Sequence, residues 1–350
     1  MYITPSKHTT RLRVFVTLYV MCLFSLVSSQ ASDLSTRAQQ LGLTKTWTFP
    51  FPNTTMDNSQ DAQSYITADW KKATSQFYGG GDVSFVNDPI SSNNASSSQA
   101  LRVLYGMGSY APTGTKSNLG SVGGTEFFSQ PFGNGSYDSV LLRYDLAFDN
   151  SFQWVQGGKL PGVFGGEPGS GCSGGNAASG SNCFSVRLMW RQNGAGEAYA
   201  YIPNAKDLCQ QQKTVTCNDQ YGTSFSRGVI NFQQNKWTTM EMYVKINNAS
   251  ASDGVLKVWQ DGNVIVNQNQ VQFRTSNAIA ASSLFFSTFF GGGDPSYATQ
   301  VDTYTYYKNV EFSVGNQVEL SDSGAGSLMS SLFGPLSYLS WSLLAIYFAL

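Results

Sequence analysis

Period-two alternation of apolar and polar residues, broken at short intervals by turn chemistry, leaves this chain little to fold into except β-sheet. The segments SYDSVLLRYDLAFD, CFSVRLMWR, EAYAYIP, KWTTMEMYVKIN, GVLKVWQ, NVIVNQNQVQF, SSLFFSTFF and DTYTYYKNVEFSV each read as a strand. Between GVLKVWQ and NVIVNQNQVQF, Asp261-Gly262 is a hairpin signal, because both residues tolerate the left-handed backbone of a two-residue turn. Helical patterning is confined to a stretch near DLSTRAQQLG. Short strands joined by turns predict an all-β fold, a jelly-roll β-sandwich whose concave sheet suits a long ligand.

One hairpin carries more than packing. In NCFSVRLMWRQNGAGEAYAYIP, residues 182–203, Phe184, Val186, Leu188 and Trp190 form one face together with Ala198, Ala200 and Ile202. The opposite face collects Ser185, Arg187, Met189 and Arg191 with Glu197, Tyr199 and Tyr201. With QNGAG as the loop and Arg191 opposite Glu197, Met189 is expected opposite Tyr199, and Arg187 opposite Tyr201. A cation, a hydroxyl and two phenols then share a surface. The plain alternative is cross-strand packing on a solvated sheet.

Those groups suit a polymer of uronic acids. Breaking its 4-linkage by elimination needs a cation for the ring carboxylate, a base for the C5 proton and an acid for the departing O4. A guanidinium meets a carboxylate with two parallel hydrogen bonds, which Arg187 can supply. A phenol serves as acid or base if nearby cations draw its pKa below the usual ~10. The same chemistry invites a second cation, and the glycine-dense QGGKLPGVFGGEPGSGCSGG holds a single one, Lys159. So much glycine there, and in FYGGGDVSF and FFGGGDPSYA, implies close approach of backbone to a neighbouring strand or a ligand. Glu167 and Asp294 are the carboxyl pair that a glycoside hydrolase reading would have to use.

Other classes are excluded. The single histidine, His8, falls in the leader described next, which removes Ser-His-Asp, Cys-His and the usual histidine metal chemistry from the remainder. Charged residues are 12% of the chain, the net charge is −1 and no basic run suggests nucleic acid. Basic residues followed by VFVTLYVMCLFSLV and small residues read as a signal peptide over 1–30. Small residues, a Ser-rich spacer and an apolar tail over 319–350 read as a GPI-anchor signal, leaving a single domain over 31–318 on the cell surface, touching membrane only through a lipid. Sequons at Asn53, Asn94, Asn134 and Asn248 fit that compartment, as do Cys172, Cys183, Cys209 and Cys217. Pairing Cys172 with Cys183 and Cys209 with Cys217 closes two short loops flanking the hairpin.

The order GGKLPG, a Cys-bounded loop, CFSVRLMWR, GEAYAYIP, FFGGGDPSYA and DTYTYYKNVEFS resembles the polysaccharide lyase family 14 domain of fungal type, over about residues 130 to 315. That resemblance implies a β-jelly roll that cleaves acidic polysaccharide, alginate or glucuronan, by β-elimination without a cofactor. It assigns the family's lysine to Lys159, its S-x-R to Ser185 and Arg187, and its Y-x-Y to Tyr199 and Tyr201. Base and acid stay unassigned between the two tyrosines, with Lys159 a competing base. The contrasting expectation is a carbohydrate-binding wall protein that uses the same sheet without cutting.

Overall fold

The computed structural model describes residues 32–90, 98–110, 123–203, 206–218 and 221–321. The expected signal peptide, nearly all of the expected anchor segment and the Asn94 sequon lie outside the described residues.

In chain order the elements are α1 (Ser32–Gln40), β1 (Lys45–Thr48), α2 (Ser59–Asp69), β2 (Val83–Asn87), β3 (Gln99–Tyr105), β4 (Thr125–Ser129) and β5 (Ser139–Phe148). They continue with β6 (Gly157–Gly166), β7 (Cys183–Arg191), β8 (Ala195–Tyr201), α3 (Lys206–Gln211), β9 (Val215–Thr216), β10 (Thr223–Asn231) and β11 (Thr238–Lys245). The last four are β12 (Gly254–Gln260), β13 (Asn263–Val271), β14 (Ala281–Phe290) and β15 (Thr303–Val314). Each of the segments read as strands from the sequence is a strand here, and Asp261 and Gly262 adopt φ 50° and 80° at their turn. The helix expected near DLSTRAQQLG is α1. Asn58, whose side chain accepts from the Gln60 N–H, caps α2, a helix the sequence reading missed.

The strands form an all-β jelly-roll sandwich of two antiparallel sheets. An eight-stranded sheet runs β13-β12-β11-β5-β15-β3-β2, with β1 beside β15, and a seven-stranded sheet runs β4-β14-β6-β7-β8-β10-β9. Between them Phe184, Val186, Leu188, Trp190, Ala198 and Ala200 join the main core, as the alternation required. Burying a Val, Leu or Phe side chain stabilises by roughly 1.5–3 kcal/mol, so the inward face of β7 anchors the outward one. A buried hydrogen bond from the Tyr144 hydroxyl to the Pro161 carbonyl, 3.0 Å long, ties β5 of one sheet to β6 of the other.

The first glycine-dense segment is largely the central strand β6, a placement the sequence reading did not make. Its glycines answer to neighbouring strands: a Cβ on Gly158 would enter the Trp190 ring, and one on Gly162 would overlap the Val186 carbonyl. Pro161 sits where the ladder to β7 jumps from Leu160↔Leu188 to Gly162↔Arg187, a bulge that needs no N–H from it. Gly162→Ala is therefore expected to destabilise by about 3 kcal/mol, a drop of roughly 5–10 °C in thermal midpoint. Gly81→Ala, with open space around the added Cβ, should leave the midpoint within about 2 °C.

Both expected disulfides are formed, Cys172–Cys183 and Cys209–Cys217. Asn53, Asn134 and Asn248 are exposed.

Candidate active site

The face of the seven-stranded sheet turned away from the core brings all five sequence-selected residues together. On β7, Ser185 and Arg187 alternate outward. They pair with Tyr201 and Tyr199 of β8, while Lys159 of β6 pairs with Met189. The expected hairpin register was two residues out. The loop is three residues, Gln192–Gly194, because Asn193 and Gly194 both take left-handed conformations, φ 58° and 76°, and so close a tighter turn than QNGAG. A shift of two leaves every side chain on its expected face, which is why the face was right and the partners wrong.

Arg187 is 1% exposed. Its Nη1 donates to the Ser287 hydroxyl at 3.1 Å, and that hydroxyl donates to the Glu126 carboxylate at 2.9 Å. The guanidinium also lies over the Phe285 ring, 4.8 Å from its centroid. Its Nε is buried without a hydrogen-bond partner among the described residues. Burial pulls the Arg187 pKa down and the Glu126 charge opposes that pull, so the carboxylate helps keep the guanidinium charged. Sequence reasoning missed Ser287 and Glu126. They lie on β14 and β4, opposite one another in register, a long-range pairing with no local signature.

Lys159 is partly buried, its Nζ 3.0 Å from the Met189 sulfur and 4.2 Å from the Tyr199 ring centroid. Burial, then the Arg187 and Arg191 charges, push its pKa well below the usual lysine value, with Glu197 pulling the other way. The two tyrosine rings meet edge to face, centroids 5.8 Å apart. The Tyr199 hydroxyl accepts from the Gly222 N–H at 2.8 Å. Its pKa is raised, by burial and then by Tyr201, and the neighbouring Arg187 does not reverse the shift. This corrects the expectation that cations would draw that phenol down: desolvation outweighs them, and Tyr199 stays protonated.

The disulfide-closed loop between Cys172 and Cys183 covers one end of the face. Ser185, fully buried, donates its hydroxyl to the Cys172 carbonyl at 2.6 Å, and the Tyr201 hydroxyl accepts from the Gly175 N–H at 3.0 Å. Ser185 thus spends its proton on holding the loop. Loops from opposite flanks also approach across β6, β7 and β8: an ideal Cβ on Gly293 would lie 3.6 Å from the Tyr221 hydroxyl. The carboxyl pair of the hydrolase reading is not assembled. Glu167 follows the Gly166 end of β6, whereas Asp294 follows Phe290, paired with Gly158 near its other end, and the nine-residue rise between them is about 30 Å. Asp294 is instead a cap whose carboxylate accepts from the Ser296 hydroxyl and from the Ser296 N–H, the latter at 2.9 Å, and these two bonds, the hydroxyl's first, lower its pKa.

The family described as Polysaccharide lyase 14 matches residues 93–310. The marine PL-14 alginate lyase from Aplysia kurodai is 34% identical, with a TM-score of 0.63 over 76% of this chain and 100% of that one. Alginate lyase vAL-1 from Chlorella virus, 17% identical, shares the fold at a TM-score of 0.55 over 75% of this chain and 98% of its own. "Exolysin" of Paramecium bursaria Chlorella virus 1 is 28% identical over 199 residues, which are 50% of this chain and 29% of that protein, so the match spans under a third of that relative.

Proposed function

The chain belongs to the polysaccharide lyase 14 family, and we propose that it cleaves a 1,4-linked polyuronate, of alginate or glucuronan type, by β-elimination. One observation carries the reading: a buried guanidinium with an orphaned Nε donor shares one sheet face with Lys159, whose pKa burial lowers, and Tyr199, whose pKa burial raises. An orphaned buried donor calls for an acceptor, and a uronate carboxylate supplies one.

The roles follow from those states. Arg187, steered by Ser287 and Glu126, binds the carboxylate of the ring being cut and stabilises the negative charge that spreads onto it as the C5 proton leaves. Lys159, as neutral amine, takes that proton. Tyr199 donates its phenolic proton to O4 as the C4–O4 bond breaks and the C4–C5 double bond forms. Tyr201 lines the ring against Tyr199, and Ser185 fixes the covering loop. We place the enzyme outside the cell, lipid-anchored and glycosylated at Asn53, Asn94, Asn134 and Asn248; two disulfides and three exposed acceptors support that reading.

The test is ultraviolet absorbance of unsaturated uronate released from polymannuronate, polyguluronate and polyglucuronate. A rise on one polymer names the substrate, and Tyr199→Phe is expected to cut kcat about 100-fold or more in a protein that still folds, its thermal midpoint lowered by a few degrees because the Gly222 N–H loses its acceptor. Retention on a polymer whose length never changes would instead favour the carbohydrate-binding protein, and saturated products would favour hydrolysis.

A further inference from the structure

Beyond the five residues, the same face continues toward the tip of the β7–β8 hairpin and changes character. Ser185 and Arg187 are 0% and 1% exposed and Met189 is 2%, but the next outward residue on β7, Arg191, has a side chain 20% exposed. The face is shut at the disulfide loop and opens at this end.

Glu197 sits there with no exposed side-chain surface. Arg191 donates from Nε to its Oε1 at 3.1 Å and also from Nη2, and Ser224 donates to the same oxygen at 3.2 Å. Arg227, 54% exposed, donates from Nε to Oε2 at 2.7 Å and from Nη2 to the Ser224 hydroxyl at 3.0 Å. One guanidinium already neutralises a buried carboxylate, so the second leaves a surplus positive charge at the open rim. Neither Nη1 has a partner among the described residues.

A distortion of β10 delivers Arg227 to this place. Its ladder with β8 jumps from Phe225↔Ala198 to Ile230↔Gly196, so five steps on β10 match two on β8. Ser226 and Gly228, on either side of Arg227, take φ 52° and 86°, and the Ser226 N–H is braced by the Thr214 carbonyl at 2.7 Å. A non-glycine residue held at positive φ is strain that the surroundings must maintain, and bulges of this kind re-aim side chains beside functional sites.

We propose that Arg191 and Arg227, splayed on the buried Glu197, form a second carboxylate site that binds another uronate of the same chain, beyond the one held at Arg187. The inference rests on the polyuronate lyase reading. Four steps along β7, about 13 Å between backbone positions, take Arg187 to Arg191, farther than a single sugar ring spans. Glu197 and Ser224 take up the Nε and Nη2 donors of the two arginines, so their Nη1 donors and the net charge are left for a ligand at the exposed rim. The site therefore acts on binding of long chains, and Arg227, whose partners are Glu197 and Ser224, is the member set apart from Lys159, whose pKa Arg191 and Glu197 shift.

The experiment compares wild type with Arg227→Ala and Arg227→Lys on the polymer that wild type cleaves and on its size-fractionated oligosaccharides. Arg227→Ala is expected to raise KM for the polymer about 10-fold with kcat within about two-fold, and the difference should vanish on the shortest oligosaccharide cleaved. Arg227→Lys, keeping the charge, should recover part of the KM, and the recovered part should fade with added salt. Unchanged KM in Arg227→Ala at every length, with only a lowered thermal midpoint, would overturn the site and leave Arg227 as a structural partner of Glu197. Absence of cleavage by wild type on every polyuronate would instead remove the lyase reading itself.

Discussion

Lys159→Ala is expected to lower kcat by about a thousandfold to ten-thousandfold without unfolding the protein. The two halves of that expectation have the same origin. Burial, with Arg187 and Arg191 nearby, makes the protonated lysine unfavourable where it sits, so the fold gains little from its charge and loses little on its removal. On the proposed roles, that disfavoured charge is also what makes the amine available as a base. Wild-type kcat should rise with pH through the lowered Lys159 pKa, far below the ordinary lysine value of ~10.4, because the deprotonated form is the active one. It should fall again only where Tyr199 ionises, above the usual phenol range, since the donor must be protonated. Lys159→Arg should be equally inactive, the guanidinium never shedding its proton. Rates of unsaturated product across pH decide the matter. Lys159→Ala activity within about ten-fold of wild type would take the base away from Lys159.

The second large effect is at Arg187, where the choice of substitution matters. Arg187→Ala removes the charge that Glu126 faces through Ser287, so it is expected to cost about 3 kcal/mol of stability as well as activity. Arg187→Lys keeps a cation on the same β7 position and should fold with a thermal midpoint within a few degrees of wild type. It should still lose about 100- to 1,000-fold in kcat/KM, since an ammonium cannot offer a carboxylate two parallel donors. Circular dichroism melts beside product rates separate the two variants. If Arg187→Lys keeps kcat/KM within about three-fold, the fork geometry is irrelevant and the carboxylate is held elsewhere.

Much of this site was legible from alternation alone. On one strand Ser185, Arg187, Met189 and Arg191 must share a side, and on the next Glu197, Tyr199 and Tyr201 must, since successive side chains of a pleated backbone point oppositely. The polar set had to face away from Phe184, Val186, Leu188 and Trp190 wherever the core lay. Lys159 was singled out as a lone cation among glycines, and those glycines do mark close backbone approach, to Val186 and Trp190. What escaped depended on partners. The register slipped by two because a five-residue loop and a three-residue loop preserve the same faces, and only the backbone angles of Asn193 and Gly194 choose between them. β6 was not read as a strand because its pattern is set by its neighbours rather than by its own hydrophobicity.

The sequence by itself determined the β-sandwich and the sides of the strands it could read, and with them the shared face of Ser185, Arg187, Tyr199 and Tyr201. Tertiary structure alone decided what those residues are. Glu126 and Ser287 reach Arg187 only because β4 lies beside β14 in the sheet. Ser185 is occupied by the loop above it, Tyr199 is held protonated and Lys159 is pushed toward neutrality by burial among cations. Alternation is a property of bonded neighbours and survives in the one-dimensional string. Desolvation and charge coupling depend on distances between residues far apart in the chain, and exist only once it has folded.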